Sequence, residues 1–525
     1  MSTNYANHVS KKVTSQIEPI IGEKQVKNNA GGYVFELSKW DYLDRFLVLG
    51  SEGGTYYASE KKLTIDNANN VLACIQENGR KVVDTIVEIS DTGRAPKNDP
   101  ALFVLALCAS FGDEPTRQYA LSKLSKVARI GTHLFHFAEF VNAQRGWGRA
   151  LKRAVANWYL DKPIDGLVNQ VTKYQQRDGW SNRDLLRLSH PKTEELSRKA
   201  VFDWVCGRTS DSLPYYLLAF EALKEKPSVQ LSIELINKYN FPRELIPTEL
   251  LNDVDVWKAL LVNMPMTALI RNLNKMTAIG LLKPLSKEIN DVVEKLTNSE
   301  SIRKSRLHPL SILTSLKQYS QGAGDKGKLT WKPEQRIVDA LNDAFYKSFG
   351  NVTPTGKNIM LCLDVSGSMT MGGIAGSSVN PREGSAAMAL ITASIEKNYH
   401  IMGFSSELVP LNVSHKMRLN DVIKTISGLR FGSTDCAQPM IYAMNHNLDV
   451  DAFIVYTDNE TWCGKIHPIQ ALKEYRKKSG RNAKLIVVGM TSTGFSIADP
   501  KDTGMMDVVG FDSAAPEVMS NFIRN

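Results

Sequence analysis

The sequence predicts two fold classes in one chain: a mainly α region over the N-terminal two-thirds, then an α/β region built as a doubly wound, mostly parallel sheet. Three observations carry this. Between Leu63 and Tyr346, apolar residues recur at helical spacing in segments separated by short polar breaks. From Ile359 onward, short apolar runs alternate with helix-length amphipathic segments, the pattern of parallel strands joined by right-handed crossovers. The chain has 525 residues, too many for one core.

Residues 1–20 read as a polar N-terminal tail. Gly31-Gly32 and Gly53-Gly54 bracket a stretch holding Trp40 and Tyr42, read as a short hairpin with a loop. Helices are expected over 68–78, 81–90, 100–109, 115–128, 132–141, 148–159, 163–175 and 181–189. The pattern is vaguer over 194–223 and resumes over 229–238, 257–262, 266–276, 287–296 and 309–321. Short loops between amphipathic helices make antiparallel neighbours, that is, stacked helical hairpins. No clean repeat stands out, although a HEAT-like solenoid fits. Residues 321–327 read as a flexible loop. The last helix, 333–346, has Pro333 at its start. Pro354-Thr355-Gly356 turns the chain from the helical domain, 21–355, into the α/β domain, 356–525. There, strands are expected over 359–363, 400–404, 452–457, 485–489 and 507–511. Helices are expected over 385–397, 419–428, 437–447, 468–478 and 516–523.

Met1–Lys12 lacks the apolar run of a signal peptide, and no segment approaches the roughly 20 apolar residues of a membrane span, so no membrane partner is expected. Six scattered cysteines without a C-x-x-C pair point to reduced thiols and a cytoplasmic protein. The net charge is +9, but from Thr355 onward 16 Lys plus Arg meet 16 Asp plus Glu. The positive excess therefore lies in the helical region, which suits a polyanion partner or a merely soluble surface.

The chemistry concentrates at strand ends. Ile359–Leu363 empties into Asp364-Val365-Ser366-Gly367-Ser368, placing three oxygen-bearing side chains on alternate residues at the carboxyl edge of the sheet, where open α/β sheets bind ligands. Alone this is also a capped turn. A second loop, Phe431 to Asp435, contains Thr434, and a second buried strand ends at Asp458. D-x-S-x-S, then Thr, then Asp resembles the metal-ion-dependent adhesion site of von Willebrand factor A domains. Hard oxygen donors suit a divalent ion, above all Mg²⁺. Ser366, Ser368 and Thr434 are the neutral ligands, and Asp364 and Asp458 act through water or by orienting the hydroxyls. No general base or nucleophile pair accompanies them, so the site reads as a docking device and the chain as no enzyme.

The helical region carries basic clusters. Lys123, Lys126 and Arg129 are three apart and are expected on one helix face. Arg145, Arg149, Lys152 and Arg153 flank Trp147. Lys173 and Arg177, at i and i+4, precede Trp180, Arg183, Arg187, His190 and Lys192. Cations interleaved with Tyr174 and Trp180 suit RNA phosphates and stacked bases, although any one of them is equally a solvated surface residue.

The run K-Y-x-Q-R-x-G-W-S-x-x-D-L-L-R-L-S-H, Lys173 to His190, resembles the Ro ribonucleoprotein family, also called TROVE-domain proteins. Leu121–Ile130, Thr132–Phe135, Trp257–Leu261, Met264–Leu269, Pro354–Lys357, Thr457–Thr461 and Gly489–Ser492 agree. Gly131 stands where relatives usually have Pro, and 191–231 matches poorly. The resemblance implies a monomeric HEAT-like helical ring closed by a C-terminal von Willebrand factor A domain. It implies small noncoding Y RNA on the outer basic surface, and 3′ ends of misfolded structured RNA taken through the central hole, in RNA quality control. It also implies a 3′→5′ exoribonuclease tethered through Y RNA. By motif, Lys173, Arg177 and His190 contact RNA; Arg129 and Thr132 are further candidates, with Lys123, Lys126 and Arg187 from the basic clusters. The same residues leave two other readings: a Mg²⁺-dependent adhesion or assembly scaffold, and a metal-dependent nuclease, for which a hydroxyl-rich ligand set is a poor fit.

Overall fold

A computed structural model describes residues 13–210, 212–324, 328–350, 352–429 and 432–525. Residues 1–12 of the expected tail, the tip of the expected flexible loop at 325–327, and Phe431 lie outside the described residues.

The sheet of the C-terminal domain has six strands in the order Met505–Val509, Lys484–Gly489, Ala452–Thr457, Asn358–Asp364, Asn398–Phe404 and Leu408–Pro410. The first five are parallel and the sixth is an antiparallel edge. Asn358–Asp364 lies inside the sheet, with Ile359–Asp364 all buried, which is why it reads as an unbroken apolar run. The edge strand Leu408–Pro410 is too short and too exposed to leave a pattern.

The helical region runs from Lys39–Leu49 to Gln335–Lys347. The two helices expected over 68–78 and 81–90 are one, Glu60–Thr92, broken only at Asn78, where φ is −157° and ψ 83°. Gly79 follows the break. A Cβ there would lie 2.4 Å from the Thr116 hydroxyl oxygen, so the neighbouring helix Glu114–Ser122 fits only against a glycine. The expected hairpin around Trp40 is instead the helix Lys39–Leu49, capped by Ser38. No helix among the described residues is long and apolar enough to cross a membrane.

Contacts at several points join the regions, and the two ends of the helical region also meet each other. The strand Tyr33–Glu36 pairs with Phe495-Ser496 of the C-terminal domain. At the other end of the helical region, Arg306 donates to the Asp91 carbonyl (3.1 Å) and His308 to the Arg94 carbonyl (2.9 Å), so late helices meet early ones. Lys317 reaches Glu383 (2.7 Å) of the C-terminal domain.

Candidate metal centre and nucleic-acid interface

The carboxyl ends of the central strands bring the predicted donors into one buried place. Relative exposures are 0% for Asp364, 2% for Ser366, 5% for Ser368, 1% for Thr434 and 2% for Asp458. Asp364 accepts from the Ser366 backbone N–H (2.9 Å) and from the Thr457 hydroxyl (2.7 Å). The Ser366 and Ser368 hydroxyls are 3.1 Å apart, and Ser368 bonds Asp458. Thr434 sits in the adjoining loop, its carbonyl accepting from the Trp462 (3.0 Å) and Cys463 (3.2 Å) N–H groups. Arg382, in the first turn of the helix Pro381–Ile395, donates to the Val365 and Ser366 carbonyls and so fixes the serine loop from behind.

Burial raises the carboxyl of Asp364, and burial together with the Asp364 charge raises that of Asp458 further. Two desolvated carboxylates that repel each other, linked by hydroxyls, form a donor set that a divalent cation relieves. Among the described residues no three His, Cys, Asp or Glu side chains cluster as metal ligands.

The polar stretch expected to be a tail does not behave as one where it is described. Thr14 and Gln16 are buried. The Gln16 amide donates to Asp435 (2.7 Å) and to the Ile466 carbonyl (2.8 Å), and its oxygen accepts from the Thr461 hydroxyl. Asn28 donates to the carbonyls of Asn459 (3.2 Å) and Thr461 (2.8 Å). Asn29 and the Ala30 N–H hold Glu460 at 2.7 and 2.9 Å, and burial pushes that carboxyl up to about 7. This strap was not legible because its polar residues find partners more than 400 positions away.

The basic residues are arranged otherwise than a helical reading implies. The helix Ile164–Lys173 stops at Lys173. Gln176-Arg177 then pairs with Trp180-Ser181 around Asp178-Gly179, whose φ values of 51° and 78° fit the tight turn that Asp-Gly favours. Lys173 and Arg177 therefore share no helix face. Lys173 lies over the Tyr174 ring (5.5 Å) and 3.9 Å from Glu244, and Arg177 is exposed beside Asp178 (3.5 Å). Arg187 is exposed in the last turn of the helix Asn182–Ser189, and His190 is its exposed left-handed cap.

Lys123, Lys126 and Arg129 also fail to form one face. A helix ends at Ser122 and a four-residue helix, Leu124–Val127, follows. Lys123 lies over Tyr119 (4.8 Å) and Lys126 is exposed. Arg129 turns back to the Ser90 carbonyl (2.8 Å) and hydroxyl (2.7 Å), where it ties two helices together. Thr132 is half-buried in the first turn of Gly131–Gln144. At Gly131 the N–H donates to Gln170 (2.8 Å), and a Cβ would lie 2.7 Å from Tyr174, so there is no room for a proline at this position.

The helix Arg149–Leu160 supports both groups: Trp158 donates to the Ala128 carbonyl, and Tyr159 to Asn182 (2.9 Å).

Residues 26–235 and 238–318 match the TROVE domain family, and residues 358–523 match the Ro60 vWA domain family. The RNA-binding protein RO60 of Deinococcus radiodurans is 42% identical over 511 residues, 96% of either chain. That of Caenorhabditis elegans is 38% identical over 595 residues, 98% of this chain and 92% of the relative. The crystal structure of the D. radiodurans RO (RSR) protein superposes with a TM-score of 0.71 at 41% identity, covering 93% of this chain and 99% of that one. With both halves matched in this order and full-length relatives this similar, the chain belongs to the Ro60 family, a TROVE domain followed by a von Willebrand factor A domain.

Proposed function

We propose that this chain is a non-catalytic RNA-binding protein of RNA quality control or decay in the cytoplasm. It holds small noncoding Y RNA on the exposed face around Lys173, Arg177, Arg187 and His190, and takes single-stranded 3′ ends of misfolded RNA through the opening of a monomeric ring of HEAT-like helices. A 3′→5′ exoribonuclease tethered through the Y RNA is the partner this activity calls for. The observation that carries the reading is the hairpin Gln176–Ser181 with its flanking helices, which brings the cations Lys173, Arg177 and Arg187 and the His190 imidazole into one short stretch of a protein whose relatives are RNA-binding. The return of Arg306 and His308 to Asp91 and Arg94 supports a ring. So does a cleft of about 700 Å³, lined by Lys97 of the early helices, Arg271 and Thr314 of the late ones, and Ser377 and Ser378 of the C-terminal domain.

Asp364, Ser366, Ser368, Thr434 and Asp458 are the residues that would hold the divalent ion, proposed to be Mg²⁺. When bound, it supplies positive charge between two buried carboxylates. Burial of all five favours bracing over the gripping of a partner's carboxylate, which an adhesion scaffold requires.

The test is the salt dependence of Y RNA binding by Lys173→Ala/Arg177→Ala. Affinity falls, and the log–log slope against salt flattens by roughly 0.7–0.9 for each phosphate no longer neutralised. An unchanged slope removes both residues from the footprint.

A further inference from the structure

Beside the cleft lies a cavity of about 250 Å³ to which the RNA reading gives no task. The helices Lys39–Leu49, Asp99–Phe111 and Gly131–Gln144 meet there. Its walls are the rings of Phe46, Phe103 and Phe140, standing edge to face with centres 6.2 and 5.5 Å apart. Polar groups border it: the Ser51 and Thr64 hydroxyls (2.6 Å apart), Asp99, and the ion pair of Lys97 with Glu52. One Asp99 oxygen bonds His136, and the other has no hydrogen-bond donor among the described residues. Burial opposes ionisation of Asp99, but the hydrogen bond and charge of His136 hold its carboxyl below the usual range, so it is a charged acceptor.

The cavity adjoins the cleft, since Lys97 and Ala375 line both. The sill between them is the turn Ile374–Gly376. Ala375 adopts a left-handed φ of 48°, and a Cβ on Gly376 would strike the Glu52 carboxylate (2.1 Å) and Lys97 ammonium (2.9 Å). Here the C-terminal domain and the helical region together shape the mouth of an aromatic pocket.

We propose that this cavity is a nucleobase pocket into which a single strand lying in the cleft turns one base. The proposal rests on the reading above that such a strand enters the cleft. A base is flat: its π-face packs on one of the rings of Phe103 and Phe140, which stand nearly perpendicular, and its rim meets the other. An exocyclic amine, which adenine, cytosine and guanine carry and uracil lacks, donates to Asp99. A neighbouring phosphate competes with Glu52 for Lys97.

The test uses the full chain and labelled single-stranded RNA about ten nucleotides long, read by fluorescence anisotropy: oligoadenylate, oligouridylate, and oligoadenylates with one abasic site moved along the strand. One abasic position costs about tenfold in affinity, the size of a missing base–aromatic stack, and oligouridylate binds more weakly than oligoadenylate. Phe103→Leu and Phe140→Leu, which keep an apolar side chain, each cost the intact oligomer a similar factor. Abasic site and variant together cost no more than either alone, and binding of a base-paired stem is unchanged. The abasic series on the unaltered protein stands even if a variant folds poorly. If the oligomer binds but every abasic position is tolerated, or the losses multiply, the pocket is refuted and the cleft reading survives. If no single strand binds, the cleft reading itself fails and the pocket with it.

Discussion

At the scale of a residue, His308 shows how one side chain records the meeting of two distant segments. It caps the helix Pro309–Gln321, with Nδ1 accepting from the Leu310 N–H (3.1 Å), so the proton is on Nε2, which donates to the Arg94 carbonyl (2.9 Å). Burial pushes its pKa from 6.5 down to about 4. The native protein therefore keeps the ring neutral while the unfolded chain protonates it near 6.5. The unfolded state binds the extra proton between those values, so this stability is complete above pH 6.5 and is lost as pH falls towards 4. The loss amounts to about 3 kcal/mol. His133, also lowered to about 4 by burial and then by Arg129, acts in the same sense. His308→Asn keeps a capping side chain but loses the titrating ring. Its melting temperature lies below that of the unaltered protein at pH 7, and the gap closes towards pH 4.5. A gap independent of pH would show that the ring is not neutral in the fold.

At the scale of elements, legibility followed the distance over which a pattern is decided. The five parallel strands and their helices could be read because each buries a face set by its own residues, and Ala452–Thr457 emerged with its expected bounds. The D-x-S-x-S turn, Thr434 and Asp458 could be read because parallel topology forces strand ends to one edge. The hairpin Gln176–Ser181 was missed although Asp178-Gly179 signals it, because the spacing of Lys173 and Arg177 mimics a helix. The strap had no local signal, since its stability comes from Glu460, Thr461 and Asp435. Its tightest point is Gly32, whose N–H donates to the Asn28 side chain (2.8 Å), and where a Cβ would lie 1.9 Å from the Thr461 carbonyl oxygen. Gly32→Ala must push the strap off the loop that begins at Asp458. The expected cost is about 1–3 kcal/mol, as for other overpacked sites, with faster proteolysis ahead of Tyr33. An unchanged melting temperature would mean that the strap contributes nothing to the domain beneath it.

At the scale of the whole molecule, the helical region and the sheet are joined by ion pairs as well as by apolar contact. Arg45, in the helix Lys39–Leu49, is fully buried. Its guanidinium donates to the Thr493 (3.1 Å) and Phe495 (3.2 Å) carbonyls, pairs with Asp507 of the strand Met505–Val509, and lies so close to Gly489 that a Cβ there would sit 2.8 Å from its central carbon. Arg94 forms a second bridge, with Asp512. A buried pair of this kind gains little over well-packed apolar groups, yet removing one member strands the other charge without water. The two deletions are therefore unequal. Asp507→Ala leaves the guanidinium among carbonyls with no counter-charge, at an expected cost of about 3–5 kcal/mol. Arg45→Met fills much of the same volume and leaves Asp507 nearer solvent, with 15% of its side chain exposed, at a smaller cost. Because the pair spans the junction, Asp507→Ala should also uncouple the regions, giving two melting transitions by calorimetry where the unaltered chain gives one. Equal costs, or a single transition lowered as a whole, would mean that apolar packing and the strap alone hold the helices to the sheet.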